Sequence, residues 1–310
     1  VGRLVLVDVT LTRGLDEPQA IFESLNSTGV DLSQSDLIRN YILMGLPEPQ
    51  QTEQYERHWK AIEDLFVGSD QAFDSFARDY MLLRTGRSKQ TRADQVYRYF
   101  REFFDSERQS LGLDEAFREM RRYARYYASF ILDRGAPRDL QAPLGRLRRL
   151  AEVAAVLVMR LFECFEKRGT LREQEFVDAL RTLESYVFRR AVCGLQTRAY
   201  GPVFAAIARD LDVASPLASL RVLLGRQVES YRFPSDEEFR RELESRDLYG
   251  MRTCRYMLDR LENHENKEVE YTDGYSIEHV LPQNPNLPRP WREMLGPEWK
   301  QVQAEYVHRL

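Results

Sequence analysis

Apolar side chains recur every three or four positions along most of the chain, which is the spacing of one face of an α-helix. From about Thr52 to Cys193 this spacing continues without a long break, and Gly68 and Gly86 end its first two helical segments. Further helices are predicted over Ala93–Phe104, Leu113–Leu132, Leu144–Phe165, Glu173–Val192, Pro202–Arg209, Leu217–Ser230, Asp236–Arg246, Met251–Asn263 and Pro297–Leu310. The pattern therefore predicts a mainly α protein built as a multi-helix bundle.

Two stretches near the ends of the chain have a period of two instead. Val1–Leu11 alternates and is rich in valine, so it predicts a short N-terminal strand. Near the other end, Val269–Tyr271 and Tyr275–Leu281 are predicted to pair as strands through the Asp-Gly turn at positions 273–274.

The amino-acid composition limits the classes of protein to which the chain can belong. Of 310 residues, 43% are apolar and 30% are charged, which is typical of a soluble globular protein. We expect a cytoplasmic protein without a membrane partner, because no long uncharged apolar run and no leader sequence is present. Its three cysteines are far apart and lack metal-ligand spacing, so reduced thiols are expected. The net charge of −4 gives no general attraction to nucleic acid, so any contact with DNA must be local.

The best local candidate for contact with phosphates is an arginine-rich stretch. It alternates with tyrosines at positions 123, 126 and 127, and tyrosine rings can stack on bases. A run of charges is more often only the solvated face of a helix, and both interpretations stay open. The candidate DNA-binding residues are Arg118, Arg121, Arg122, Arg125, Arg146, Arg148 and Arg149.

The candidate chemistry lies between Ser276 and Asn286. There Glu278 directly precedes His279 on a short apolar run that Pro282 ends. A neutral imidazole can take a proton from water near neutral pH, and a carboxylate can hold a divalent metal beside a phosphate. The alternative is a partly buried histidine that only tethers a loop.

These residues resemble the first motif of HNH-type (ββα-metal) nucleases. The match is to the Ile-Glu-His-x-Leu-Pro-Gln form found in the C-terminal domain of GmrSD-type, modification-dependent (type IV) restriction enzymes. The resemblance implies a partial C-terminal ββα (HNH-like) unit, with His279 as general base and Glu278 as a candidate metal ligand. It also implies Mg²⁺ or Mn²⁺ as cofactor, and DNA with modified bases or a modified backbone as substrate.

A second block of resemblance covers positions 21–40. It follows the pattern Phe-x-x-Leu-Asn-x-x-Gly-x-x-Leu-x-x-x-Asp-Leu-x-(Lys/Arg)-Asn at the end of the GmrSD N-terminal domain, which has a ParB/sulfiredoxin-like fold and acts on nucleoside triphosphates. The resemblance places five residues beside the nucleotide: Asn26, Gly29, Asp36, Arg39 and Asn40. The alternative is that Asn26 and Gly29 only cap one helix and Asp36 caps the next, because Ser33 followed by Asp36 is a helix-start signal.

The two resemblances suggest how the chain is divided. Residues 1–50 would end an NTPase domain, 51–250 would form a helical connecting domain, and 251–310 would begin an HNH-like nuclease domain. The family's Asp-Gly-Gln-Gln-Arg and Gly-Asn-Leu motifs are absent from the sequence. We therefore expect this stretch to be part of a longer protein, to have an incomplete metal site, and to be inactive by itself toward both DNA and nucleotide.

The function predicted for the full-length protein is a nucleotide-regulated endonuclease that cuts or nicks modified or foreign DNA in antiphage defence. The alternative is a non-catalytic helical protein that binds nucleic acid or another partner and retains an HNH remnant. Assembly into a homo-oligomer is left open.

Overall fold

The computed structural model describes residues 33–44, 46–86, 96–196, 198, 200–264, 266 and 274–309. The chain divides into two compact units, Val1–Gly135 and Ala136–Leu310. Regular structure in the described residues is helical throughout, which confirms the mainly α prediction. The predicted strand Val1–Leu11 lies outside the described residues. The predicted division at positions 50 and 250 stays a prediction.

The first unit is built around aromatic side chains. Phe66, Phe76 and Tyr80 are almost completely buried, and the rings of Phe66 and Phe76 stack with their centroids 5.5 Å apart. Such contacts between rings add to the stabilisation that burial provides. The unit's helices are α1 (Gln34–Met44), α2 (Glu48–Gln54), α3 (Lys60–Phe66), α4 (Asp70–Thr85), α5 (Val96–Leu111) and α6 (Leu113–Ile131), with a π-helical turn at Tyr55–Trp59 between α2 and α3.

A buried histidine lies on that π-helical turn. The side chain of His58 is only 5% exposed, and its ring stacks on Phe117 with the centroids 5.4 Å apart. The Nε2 atom lies 3.8 Å from Asp114 Oδ1, which is too far for a hydrogen bond. Burial lowers the pKa of His58, and the attraction of Asp114 only partly opposes this effect.

We expect the first unit to lose stability in mild acid because of His58. The unfolded chain has an ordinary histidine pKa of about 6.5 and takes up the proton first, so the free energy of unfolding falls below about pH 6.5. The variant His58→Phe keeps the ring stack and should lose this dependence. Chemical denaturation of both proteins at about pH 8 and pH 5 tests the prediction.

Comparing wild type with His58→Phe also cancels the contribution that a second titrating group, Asp79, makes to the pH dependence of stability. Burial raises the pKa of Asp79 to about 6, which acts in the opposite direction over a similar pH range, but it acts equally in wild type and variant. Equal acid sensitivity of the two proteins would contradict the role given to His58.

The second unit is organised around one long helix. This helix, α9 (Glu173–Val192), buries an apolar side that includes Phe176, Leu180 and Leu183. Its bounds are those predicted from the sequence. The unit's other helices are α7 (Arg138–Leu150), α8 (Ala155–Phe162), α10 (Tyr200–Asp210), α11 (Pro216–Gly225), α12 (Asp236–Ser245), α13 (Cys254–Glu262), α14 (Arg289–Leu295) and α15 (Trp299–Tyr306).

The predicted helix over Leu144–Phe165 is interrupted in the structure. Helix α7 ends at Leu150, Ala151 is extended with φ −158°, and a 3₁₀ turn at Glu152–Ala154 leads into α8. Alanine is the strongest helix former, so local preference gave no sign of this break. The buried position of Ala151 indicates that packing overrides the preference.

The predicted ββα unit is not formed in the described residues. Residues 275–281 have no regular secondary structure, and the predicted partner strand Val269–Tyr271 lies outside the described residues. A strand at the edge of a core buries every second side chain, whereas Val280 is 91% exposed. The short alternation at 275–281 therefore did not indicate a buried strand face.

A small core and a polar network attach α12 and α13 to α9. Val192 at the end of α9 packs with Leu248 and Met257, and Phe188 and Phe239 cover them. Beside this core, the buried carboxylate of Glu184 accepts a hydrogen bond from the Tyr256 hydroxyl. These contacts hold α12 and α13 against α9. Among the described residues, no helix has both the length and the apolar character to cross a membrane.

Candidate active site in the C-terminal segment

The segment that carries the Glu-His pair is held at both ends. At its start, Arg255 on α13 donates a hydrogen bond from Nη2 to the Tyr275 carbonyl over 2.9 Å. At its end, the buried amide of Gln303 on α15 donates to the carbonyls of Pro282 (2.7 Å) and Asn284 (2.9 Å). The backbone around residue 279 is therefore held in place although it belongs to no helix or strand.

His279 lies in a partly exposed cluster of rings. Its ring centroid is 4.3 Å from that of Tyr249 and 5.5 Å from that of His308, both in edge-to-face geometry. Its Nε2 atom is 2.9 Å from Gln283 Nε2. The imidazole is thus oriented by neighbours and remains accessible, as a group that acts on a bound substrate must be.

His308 approaches the cluster from the end of the chain. The ring stacks on Tyr249, and Nδ1 lies 3.1 Å from Asp247 Oδ2. The backbone is also fixed, because the His308 carbonyl accepts a hydrogen bond from Leu248 N over 3.1 Å. Partial burial opposes the charge on Asp247, but hydrogen bonds from Gly250 and His308 outweigh it and lower the pKa of the carboxyl group.

Glu278 borders a groove that does not include His279. Its carboxylate is exposed and accepts a hydrogen bond from the Ser276 hydroxyl over 2.9 Å. It lines an open groove of about 430 Å³, and His279 is not among the lining residues. The groove is lined by Arg255, Leu258, Leu261, Glu262, Tyr275, Ser276, Ile277 and Glu278.

The described residues do not assemble a metal centre around Glu278. Nowhere in the described ranges do three or more His, Cys, Asp or Glu side chains come together in a way that could hold an ion. Mg²⁺ needs several oxygen ligands, and Glu278 supplies only one carboxylate. The role of Glu278 as a metal ligand therefore stays a prediction that requires further ligands.

The predicted nucleotide-site residues divide between described and undescribed positions. Asn26 and Gly29 lie outside the described residues. Ser33 caps α1, because its hydroxyl accepts a hydrogen bond from Asp36 N over 3.2 Å and donates one to the Asp36 carboxylate over 2.7 Å, as the helix-start signal predicts. Arg39 binds Asp36 at 2.9 Å and Glu63 at 2.8 Å, and Asn40 is half-buried. These contacts are structural, and the predicted role beside a nucleotide stays a prediction.

The predicted DNA-binding arginines of the first unit lie on α6. Arg118 pairs with Glu115 at 3.1 Å, Arg122 pairs with Glu119, and Arg125 lies over the Tyr126 ring. Arg121 is exposed. Tyr123, Tyr126 and Tyr127 are buried in the core, so their rings cannot stack on a nucleic-acid base without unfolding.

The other three predicted arginines belong to the second unit, on α7. Arg146 is 3.2 Å from both carboxylate oxygens of Glu184, and Arg149 pairs with Asp259 on α13. Arg148 is half-buried. The contacts of Arg146 and Arg149 hold α7 to α9 and α13. A role for these residues in DNA binding stays a prediction.

The sequence pattern did not single out three members of the site, Asp247, Tyr249 and His308. They lie about 30 positions from His279 along the chain, and folding brings them beside it. One signal could have identified His308 as a site candidate. Histidine is rare in this chain, and His308 is one of only four. His264, another of the four, is exposed.

Comparison with known proteins gives one match. A family model for GmrSD restriction endonucleases, C-terminal domain, matches residues 233–310. Neither the curated proteins nor the solved structures contain a match to the chain. The matched residues include α12, α13 and the whole ring cluster. Residues 233–310 are therefore similar to the C-terminal domain of GmrSD restriction endonucleases.

Proposed function

We propose that the protein is a DNA endonuclease that cuts or nicks modified or foreign DNA, with His279 as general base. The observation that carries the proposal is the oriented, partly exposed imidazole of His279 within the segment similar to a restriction endonuclease domain. Hydrolysis of a phosphodiester requires removal of a proton from the attacking water, and imidazole is suited to this near neutral pH.

Gln283 determines which nitrogen of His279 can take that proton. The oxygen and nitrogen of a carboxamide are assigned from their hydrogen bonds. In the structure the Gln283 amide nitrogen faces His279 Nε2. With the carboxamide turned over, its oxygen accepts from His279 Nε2–H and the lone pair lies on Nδ1. We propose that Nδ1 takes the proton from water in this arrangement.

A divalent metal is part of the proposal. Mg²⁺ or Mn²⁺ bound by Glu278, with ligands from outside the described residues, would neutralise charge on the phosphate. Regulation by a nucleoside triphosphate through the segment around Asp36 and Asn40, and a role in antiphage defence, are proposed from the sequence resemblance.

The experiment compares native phage DNA that carries base modifications with unmodified copies of the same DNA made by amplification. We expect the intact protein to cut or nick the native DNA in Mg²⁺ or Mn²⁺, to spare the copies, and to lose activity when EDTA removes the metal. Addition of a nucleoside triphosphate should change the rate.

The rival function is a non-catalytic helical protein that binds nucleic acid or another partner. Under that function the native DNA, whether bound or not, would stay uncut with either metal, and EDTA would make no difference. This outcome would reject the endonuclease proposal.

A further inference from the structure

We infer that His308, held by Asp247, is the general acid that protonates the leaving oxygen when the phosphodiester is cut. The inference rests on the proposed function and adds a second catalytic residue to it. It starts from the pairing of two histidines in one accessible cluster, with ring centroids 5.5 Å apart.

The two rings differ in their polar partners. His279 has an amide partner, Gln283, with 2.9 Å between the two Nε2 atoms. His308 has a carboxylate partner, because its Nδ1 atom lies 3.1 Å from Asp247 Oδ2. An ionised carboxylate can only accept a hydrogen bond, so it requires a proton on His308 Nδ1, whereas an amide can donate or accept. This difference in partners assigns the acid to His308 and the base to His279.

The Nε2 atom of His308 has the freedom that an acid needs. Its Nδ1 atom is committed to Asp247, and within the described ranges no hydrogen bond engages Nε2. The side chain of His308 is 35% exposed, so a substrate can reach it. Stacking on Tyr249 fixes the plane of the ring.

An in-line displacement gives the two histidines separate tasks. The attacking water and the leaving oxygen lie on opposite sides of phosphorus, so one group must serve each side. Water bonds to phosphorus as His279 takes its proton. The bond from phosphorus to the leaving oxygen then breaks, and His308 Nε2–H gives that oxygen a proton. Exchange with solvent restores both rings.

The same cluster has a structural alternative. His308 could serve only to brace Tyr249, which in turn holds the His279 ring. Loss of His308 would then disorder the general base and slow every substrate alike. An experiment must therefore distinguish two effects of removing His308: loss of the proton donor to the leaving oxygen, and loss of the orientation of the His279 ring.

A substrate with a sulfur leaving atom makes this separation. A thiolate leaves without prior protonation, so a phosphorothiolate with bridging sulfur on the leaving side does not need a general acid. The end groups of the normal products first establish which side leaves. The proteins to be compared are wild type, His308→Ala, Asp247→Asn, His279→Ala and the surface control His264→Ala, all as intact proteins under single-turnover conditions.

We expect His308→Ala to cut the oxygen substrate about 100-fold more slowly than wild type, and the sulfur substrate at nearly the wild-type rate. Asp247→Asn should show a smaller loss of the same kind. His279→Ala should be slow on both substrates, and His264→Ala should be normal on both.

Equal slowing of both substrates by His308→Ala would overturn the inference and assign His308 to bracing. Normal cutting of both would also overturn it, although the endonuclease proposal would stand. A wild-type protein that cuts neither substrate would reject the proposed function and this inference together.

Discussion

Replacement of Arg190 by methionine is expected to destabilise the protein by about 3 kcal/mol. The side chain is completely buried and donates to three backbone carbonyls, those of Ser230 (2.7 Å), Arg232 (3.2 Å) and Gln196 (2.7 Å). Methionine fills similar space but donates no hydrogen bond, so the variant loses all three charge-assisted hydrogen bonds that tie these backbone segments to α9. Loss of the contacts with the Tyr186 and Tyr200 rings adds to the effect.

The neighbouring Arg189 provides a matched control for Arg190. Its main ionic partner is Asp236, whose side chain is 76% exposed, so Arg189→Met should cost less than about 1 kcal/mol. Chemical denaturation followed by circular dichroism measures both variants. Equal unfolding midpoints for wild type and Arg190→Met would show that the buried guanidinium does not hold the loop at 230–232.

Replacement of His279 by alanine is expected to reduce DNA cleavage by about 10²–10⁴-fold, the usual contribution of a general base. No neighbour can replace it under the proposed mechanism, because His308 is held by Asp247 and would act on the other side of the phosphate. The unfolding midpoint should change little, because the ring lies at the surface of its unit rather than in the core.

His264→Ala is the control for the His279 variant. His264 is also an exposed histidine of the second unit, but it follows α13 and is absent from the ring cluster. Its loss should leave the rate of cleavage of the same DNA unchanged. A comparable loss from both variants would indicate a general effect of removing surface histidines.

Much of the fold was predictable because the start, the apolar face and the end of a helix are each marked by residues that are close together in the sequence. The bounds of α9 follow from its apolar spacing, from the acidic residues in its first turn and from Arg189-Arg190 in its last turn. Ser33 and Asp36 likewise gave the start of α1. The break at Ala151 was not predictable, because it depends on packing around a residue that prefers helix.

The candidate site was predictable only in part for a similar reason. Glu278 and His279 are neighbours in the sequence, so a motif could identify them. Asp247, Tyr249 and His308 lie beside His279 only because the segment before α13 is hydrogen-bonded to the residues after α15, from Leu248 N to the His308 carbonyl, and such long-range contacts leave no local pattern. The prediction of a strand at 275–281 was wrong for a different reason: a short alternation of apolar and polar residues arises easily in a segment that belongs to no sheet.

The most direct test of the central claim measures binding and cleavage of the same modified DNA by wild type and by His279→Ala. Both proteins should bind the DNA with the same affinity, but only the wild type should cut it at an appreciable single-turnover rate. If the variant bound the DNA and cut it at the wild-type rate, His279 would not be the general base, and the assignment of the active site to this cluster would be wrong.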